Sequence, residues 1–167
     1  MDKYKFRKYR KEYLSLFLVE KRELEKILPK NVLIEHVGST AVSGLGGKGL
    51  IDIAIALPKR KIKFYREKLE SKGFIYKKKP KDNQRKFMEK RIKSGRKEEI
   101  VNVHLTYKTS PIWSEFILFR DYLRKDKNAR EEYAKIKEQA IKHNLRGEDY
   151  RKFKAKFIRK LIKNGKP

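Results

Sequence analysis

Gly38-Ser39 and Asp52 together offer an anion cradle and a carboxylate within fifteen residues of one another. A glycine and a hydroxyl residue at the turn after an extended apolar run offer backbone N–H groups and an O–H donor to an anion, with a positive helix end behind them. Gly38 would let a phosphate approach the backbone, Ser39 would donate to a non-bridging oxygen, and Thr40 stands beside them. Lys48 lies in the glycine-rich run Leu45-Gly46-Gly47-Lys48-Gly49 and can reach the same anion. Asp52 follows thirteen positions after Ser39, inside the apolar segment Leu50 to Leu57. A carboxylate there can hold Mg²⁺ (or Mn²⁺) against the phosphates. A buried, unpaired carboxylate is costly, so Asp52 should be paired, metal-bound or at the accessible end of its strand.

Those residues need elements to position them. Val32 to Val37 reads as a short strand, and Ser39 or Thr40 could cap a short helix reaching Gly44. Leu50 to Leu57 reads as an interior strand covered on both faces, because its Leu, Ile and Ala residues are nearly continuous. Ahead of these, apolar residues at three- and four-residue steps predict a helix from Phe6 to Leu28, stopped by Pro29. Lys61 to Lys72 reads as a helix with Gly73 as its cap. Phe74 to Lys77, Lys86 to Lys93 and Ile100 to Tyr107 read as strands, the last two joined by a hairpin turn at Ser94-Gly95-Arg96. From Pro111 onward the pattern is helical, in three segments that continue from Ala129 to His143 and from Glu148 to Ile162. The layout is α/β (α+β), one domain over residues 1–167 with a core of about 6–108 and a helical tail of about 111–163.

Asn102 and His104 share a strand face because they are two apart. His36 would face the same cleft as His104 if their strands were neighbours, while Glu35 would point the other way. For either histidine a structural role is as good a reading as metal binding. Arg120 and Asp121 could serve the site, but an ion pair holding the tail to the sheet is the simpler reading. Trp113 and Tyr122 read as core.

The composition bounds the rest. There is no cysteine, which excludes disulfides, thiolate metal sites and cysteine nucleophiles. The longest apolar run is far short of the roughly 20 residues of a membrane span, and the N-terminus has no apolar leader core. The expectation is a soluble cytoplasmic protein without a membrane partner, its extreme termini frayed. A net charge of +26 is unusual for a folded domain. It attracts polyanions such as RNA or other nucleic acid, while a charged fraction of 41% without cysteine also matches thermophile composition. The stretch Lys59 to Lys97 interleaves cations with Phe64, Tyr65, Phe74, Tyr76 and Phe87, and its Lys77-Lys78-Lys79 cluster and Lys81 fall in a loop. The simpler reading places those aromatics inside.

The block Ile34-Glu35-His36-Val37-Gly38-Ser39-Thr40-Ala41-Val42-Ser43-Gly44-Leu45, with Lys48 and Ile51-Asp52-Ile53, resembles the signature of the GrpB-like family. Trp113, Phe119-Arg120-Asp121-Tyr122-Leu123-Arg124, Tyr133, Tyr150, Lys154 and Phe157-Ile158 extend the resemblance over most of the chain. That family belongs to the DNA polymerase beta-like nucleotidyltransferase superfamily. The resemblance implies a nucleotidyltransferase-like mixed β-sheet flanked by helices, with a C-terminal helical segment. It also implies a nucleotide or phosphorylated ligand on Gly38, Ser39, Thr40 and Lys48, and Mg²⁺ on Asp52. Superfamily enzymes carry a second acidic residue two positions on and a third on a later strand, which hold two ions for in-line transfer. Here the second position is Ala54, and the residues that could supply the third ligand are Asn102 and His104. Two readings follow: a metal-dependent nucleotidyltransferase with Asp52 as its catalytic carboxylate, or a non-catalytic nucleotide- or RNA-binding module with a degenerate metal site.

Overall fold

A computed structural model of the chain describes residues 5–78 and 84–164. The ends expected to fray lie partly outside those residues, as do Lys79 and Lys81 of the basic loop. The elements run α1 (Glu12–Glu25), β1 (Leu33–Val37), β2 (Ile51–Ala56), α2 (Ile62–Glu70), β3 (Ile75–Tyr76), β4 (Lys86–Ser94), β5 (Lys97–Thr106), α3 (Pro111–Lys125), α4 (Lys127–Lys142) and α5 (Gly147–Asn164). The strands form one mixed sheet in the order β1-β2-β5-β4-β3. β2 and β5 are parallel and the other pairs antiparallel.

The pleat of β2 decides the architecture, because alternate residues face opposite layers. Ile51, Ile53 and Ile55 point to one side and are fully buried with Val101, Val103 and Leu105 of β5. Tyr13, Phe17 and Leu24 of α1 and Ile62 and Leu69 of α2 close that layer. Each such isoleucine contributes about 1.5–3 kcal/mol of burial. Asp52, Ala54 and Ala56 point to the other side, where Trp113, Phe116 and Ile117 of α3 cover Val37, Ala54 and Ala56. The small alanines let α3 approach closely. The Asp52 end of the strand is left open toward α4 and α5.

Three expectations need correction. The first helix starts at Glu12 rather than Phe6, because Arg7 pairs instead with Gly47 in the glycine loop (N···O 2.6 and 2.9 Å). It ends at Glu25, before Pro29 is reached. The supposed short helix after Gly38 is a three-residue 3-10 turn, Ser39–Ala41, that neither hydroxyl caps. The aromatics of the basic stretch do not all turn inward: Phe74 is buried, but Phe64 is 54% exposed and Phe87 lines a cleft. The hairpin at Ser94 is as read, with Ser94 opposite Lys97 and Gly95 at a φ of +58°, a first central position that favours glycine. Among the described residues no helix is long and apolar enough to cross a membrane.

Candidate functional site

β1 delivers Val37 opposite Asp52 on β2, and the chain then turns at Gly38. Gly38 has φ +72° and ψ −168°, a region open essentially to glycine alone. A Cβ added there would lie 2.6 Å from Asp52 Oδ2. The glycine is therefore required twice, by backbone conformation and by the carboxylate pressed against it. The 3-10 turn that follows uses the Ala41 and Val42 N–H groups internally, on Gly38 O and Ser39 O. Three residues are too few for a helix dipole, so the positive helix end expected behind Ser39 is not there. Thr40 also turns away: its hydroxyl donates to Leu50 O at 2.9 Å, meets His36 Nε2 at 3.0 Å, and is buried outside the cleft.

The β2–β5 register sets Asp52 beside Asn102, and Ala54 beside His104. Asn102 Nδ2 donates to Asp52 Oδ1 at 2.8 Å and His104 Nε2 approaches the same oxygen at 3.4 Å. An Arg85 N–H lies 3.3 Å from His104 Nδ1. A guanidinium can only donate, so Nδ1 accepts and the proton sits on Nε2, facing Asp52. Burial by itself would raise the Asp52 pKa; the hydrogen bonds from His104 and Asn102, with the charge of Lys154, outweigh it and hold the carboxyl below its usual value. Asn102 Oδ1, on the far side of the amide, is buried and meets no hydrogen-bond partner among the described residues.

This donor set does not fit the two-ion site of the superfamily. Asn102 and His104, considered as ligands, both present N–H groups to Asp52. Ala54 is completely buried under Trp113 and its neighbours, so that position is roofed by α3 as well as lacking a carboxylate. Among the described residues no three His, Asp or Glu side chains gather to hold an ion.

What the cleft has instead is cations. It encloses about 530 Å³, with Gly38, Ser39, Lys48 and Asp52 on one wall and residues of α4 and α5 on the other. Lys48 Nζ lies 3.7 Å from the centroid of the Tyr150 ring, and Lys154 Nζ lies 4.4 Å from the same ring. Lys137 is only 2% exposed and donates to Gly46 O. Burial, then the charge of Lys154, pushes its pKa well below the usual lysine value. A Cβ added to Gly47 would fall 2.8 Å from Ser39 Oγ and 3.0 Å from Lys137 Nζ, so those two groups converge on one spot. Lys77 and Arg85 line the remaining rim, near Phe87 and the buried Glu89.

Of the predicted residues, Gly38, Ser39, Lys48, Asp52, Asn102 and His104 thus come together, and three do not. His36 pairs with Ile53, so it faces the opposite side of the sheet from Asp52 and His104, and β2 separates its strand from β5. It stacks on Phe17 with ring centroids 4.6 Å apart. Burial, aided by Arg124 and Arg120, lowers its pKa to about 4, so it is neutral at pH 7. Arg120 is buried and donates to Glu35 at 2.6 Å, Asp121 at 2.7 Å and His36 O at 3.1 Å, which fastens α3 to β1. Thr40 is the third. Sequence reasoning missed Lys137, Lys154 as a cleft residue, Arg85 and Glu89. The one available signal for Lys137 was its place one turn after Tyr133 on the same helix face.

The family model described as GrpB protein matches residues 3–164. The chain belongs to the GrpB family. It is 27% identical over 161 residues to the UPF0157 protein YqkA of Bacillus subtilis, a match covering 95% of this chain but 46% of YqkA. This chain thus spans under half the length of that relative. The crystal structure of the conserved protein GrpB from Enterococcus faecalis superimposes with a TM-score of 0.80 at 26% identity, covering 96% of each chain. The Cid1 poly(U) polymerase, in a crystal structure bound to MgATP, superimposes with a TM-score of 0.58 at 12% identity, covering 84% of this chain and 46% of that one. At that identity the likeness concerns the fold, a nucleotidyltransferase-like mixed sheet flanked by helices.

Proposed function

We propose that this GrpB-family protein binds a nucleotide or another phosphorylated ligand in the cleft between the Gly38 turn and the helical tail. The observation that carries this reading is the convergence of Ser39, Lys48, Lys137 and Lys154 on one pocket. A built cluster of cations around a hydroxyl and a glycine turn suits phosphate oxygens. In this reading Ser39 donates to a non-bridging oxygen, Lys48 and Lys154 neutralise charge, and Tyr150 holds both ammonium groups in place. Cid1, which shares the fold, is bound to MgATP in its crystal structure, and that is consistent with a nucleotide as the phosphorylated ligand. Lys77 and Arg85 carry the basic surface to the rim, so the phosphates of RNA are the natural larger partner. Their binding would weaken steeply with added salt.

A second reading, nucleotidyl transfer with Mg²⁺ or Mn²⁺, is favoured by one observation: Asp52 is held ionised with Oδ2 facing Gly38. The ion would rest on this single carboxylate and on the ligand's own phosphates, where it would neutralise their charge. Radiolabelled nucleoside triphosphates tested with Mg²⁺ or Mn²⁺, alone and with total RNA, separate the two. Retention of label without transfer supports the binding module. Transfer that disappears in Asp52→Ala supports the enzyme. No retention under any condition overturns both.

A further inference from the structure

Lys137 carries an inference that rests on the phosphate-binding reading and goes beyond it. Its side chain is almost wholly buried, with 2% of the residue exposed, where it lines the cleft. Its hydrogen-bond acceptor is the neutral Gly46 carbonyl rather than a carboxylate. From α4 itself the Tyr133 ring stands below it, with its centroid 4.8 Å away. From α5 the facing groups are Lys154, a like charge, and Tyr150; from the glycine loop Lys48; from β2 Asp52, whose attraction is the weakest of the influences acting on Lys137. A buried ammonium without an adjacent counter-ion is unfavourable, and an amine can shed its proton and still donate one N–H to Gly46 O.

We propose that Lys137 is a proton-coupled phosphate anchor: neutral in the empty cleft, it takes up one proton when a phosphate group settles against Ser39. The geometry supplies the place for that group. Ser39 Oγ and Lys137 Nζ pack against the same side of Gly47, each about 3 Å from where a Cβ would stand, and both residues line the cleft. Gly47 does not have a positive φ, so the glycine there makes room rather than a turn. A phosphate between Ser39 and Lys137 brings the negative charge that Lys137 lacks, and the proton follows from solvent. Ligand affinity then falls by about tenfold per pH unit wherever the empty-cleft amine is neutral and the bound one charged.

The test is calorimetric titration of the protein with inorganic tripolyphosphate in EDTA, near pH 8.5, in two buffers of different ionisation enthalpy. The same titration of Lys137→Met subtracts the probe's own ionisation. The ¹³Cε shift of Lys137 in wild-type protein is followed in parallel. The proposal expects about one more proton taken up by wild type than by Lys137→Met, and a ¹³Cε shift that moves from the neutral to the charged value on binding. If Lys137→Met does not fold, the wild-type ¹³Cε shift decides alone. Binding with equal proton counts, or a ¹³Cε shift already charged in the empty protein, overturns this proposal and leaves the phosphate cleft standing. Absence of tripolyphosphate binding by wild type overturns both.

Discussion

Replacing Gly38 by alanine places a methyl carbon 2.6 Å from Asp52 Oδ2 and 3.1 Å from Asp52 Cβ, on a backbone at φ +72° and ψ −168°. Two penalties arise and can be separated. The backbone penalty, for holding a non-glycine residue in that region, is about 1–3 kcal/mol. The steric penalty depends on the carboxylate, which cannot swing away without giving up the N–H groups of Asn102 and His104; losing such charge-assisted hydrogen bonds costs about 1.5–3 kcal/mol. Gly38→Ala should therefore destabilise the protein by about 2.5–6 kcal/mol. In an Asp52→Ala background the 2.6 Å contact is gone, and the backbone penalty persists with only the milder 3.1 Å contact to Cβ. The double-mutant cycle should then show at least about 1 kcal/mol of coupling. Urea unfolding of the four proteins, with unchanged m-values, measures this. A Gly38→Ala cost below about 0.5 kcal/mol, or an equal cost in both backgrounds, would refute the close packing of the turn on the carboxylate.

Ala54→Asp, which restores the second acidic position, should destabilise by about 3 kcal/mol or more without creating ion affinity, because Trp113 fills the space above Ala54; Mn²⁺ binding that appears in a stable variant would contradict this. His36 has its pKa lowered to about 4 by burial, against an ordinary 6.5. Between those values the unfolded chain binds a proton that the folded chain does not, so stability is intact above about pH 6.5 and falls as pH drops toward 4, by about 3 kcal/mol in all. Unfolding free energies at both ends of that window should show most of the loss disappearing in His36→Gln, and an unchanged pH dependence would contradict the assignment. Arg120→Met should cost about 2–4 kcal/mol in stability by leaving Glu35 and the His36 carbonyl without their donor, while leaving anion binding by the folded variant intact. A selective loss of binding at unchanged stability would return Arg120 to the site.

Much of this could be read in the sequence because it is local. The continuous apolar run around Asp52 needs two covered faces, and a mixed sheet with helices on both sides supplies them. Gly38 followed by Ser39 specifies a turn whatever lies around it. What could not be read depends on register and on the helical tail. Whether His36 joins His104 turns on which residue of β2 it pairs with, and pairing with Ile53 puts it on the wrong face. Lys137 sits in a lysine-rich helix and looks like any solvated cation until α5 closes over it. The start of α1 was misplaced because apolar spacing says nothing of the pairing between Arg7 and Gly47. Ala54 showed in the sequence as a missing ligand, but the roof of α3 aromatics that fills its place did not.

Equilibrium titration of the protein with ATP in EDTA reads out whether the pocket at Gly38-Ser39 takes phosphate. A phosphate site there gives saturable binding of one ATP per chain, weakened at least about tenfold by either Gly38→Ala or Lys48→Met and retained in Asp52→Ala. Absence of saturable binding, or equal affinity in wild type and both weakened variants, would contradict it.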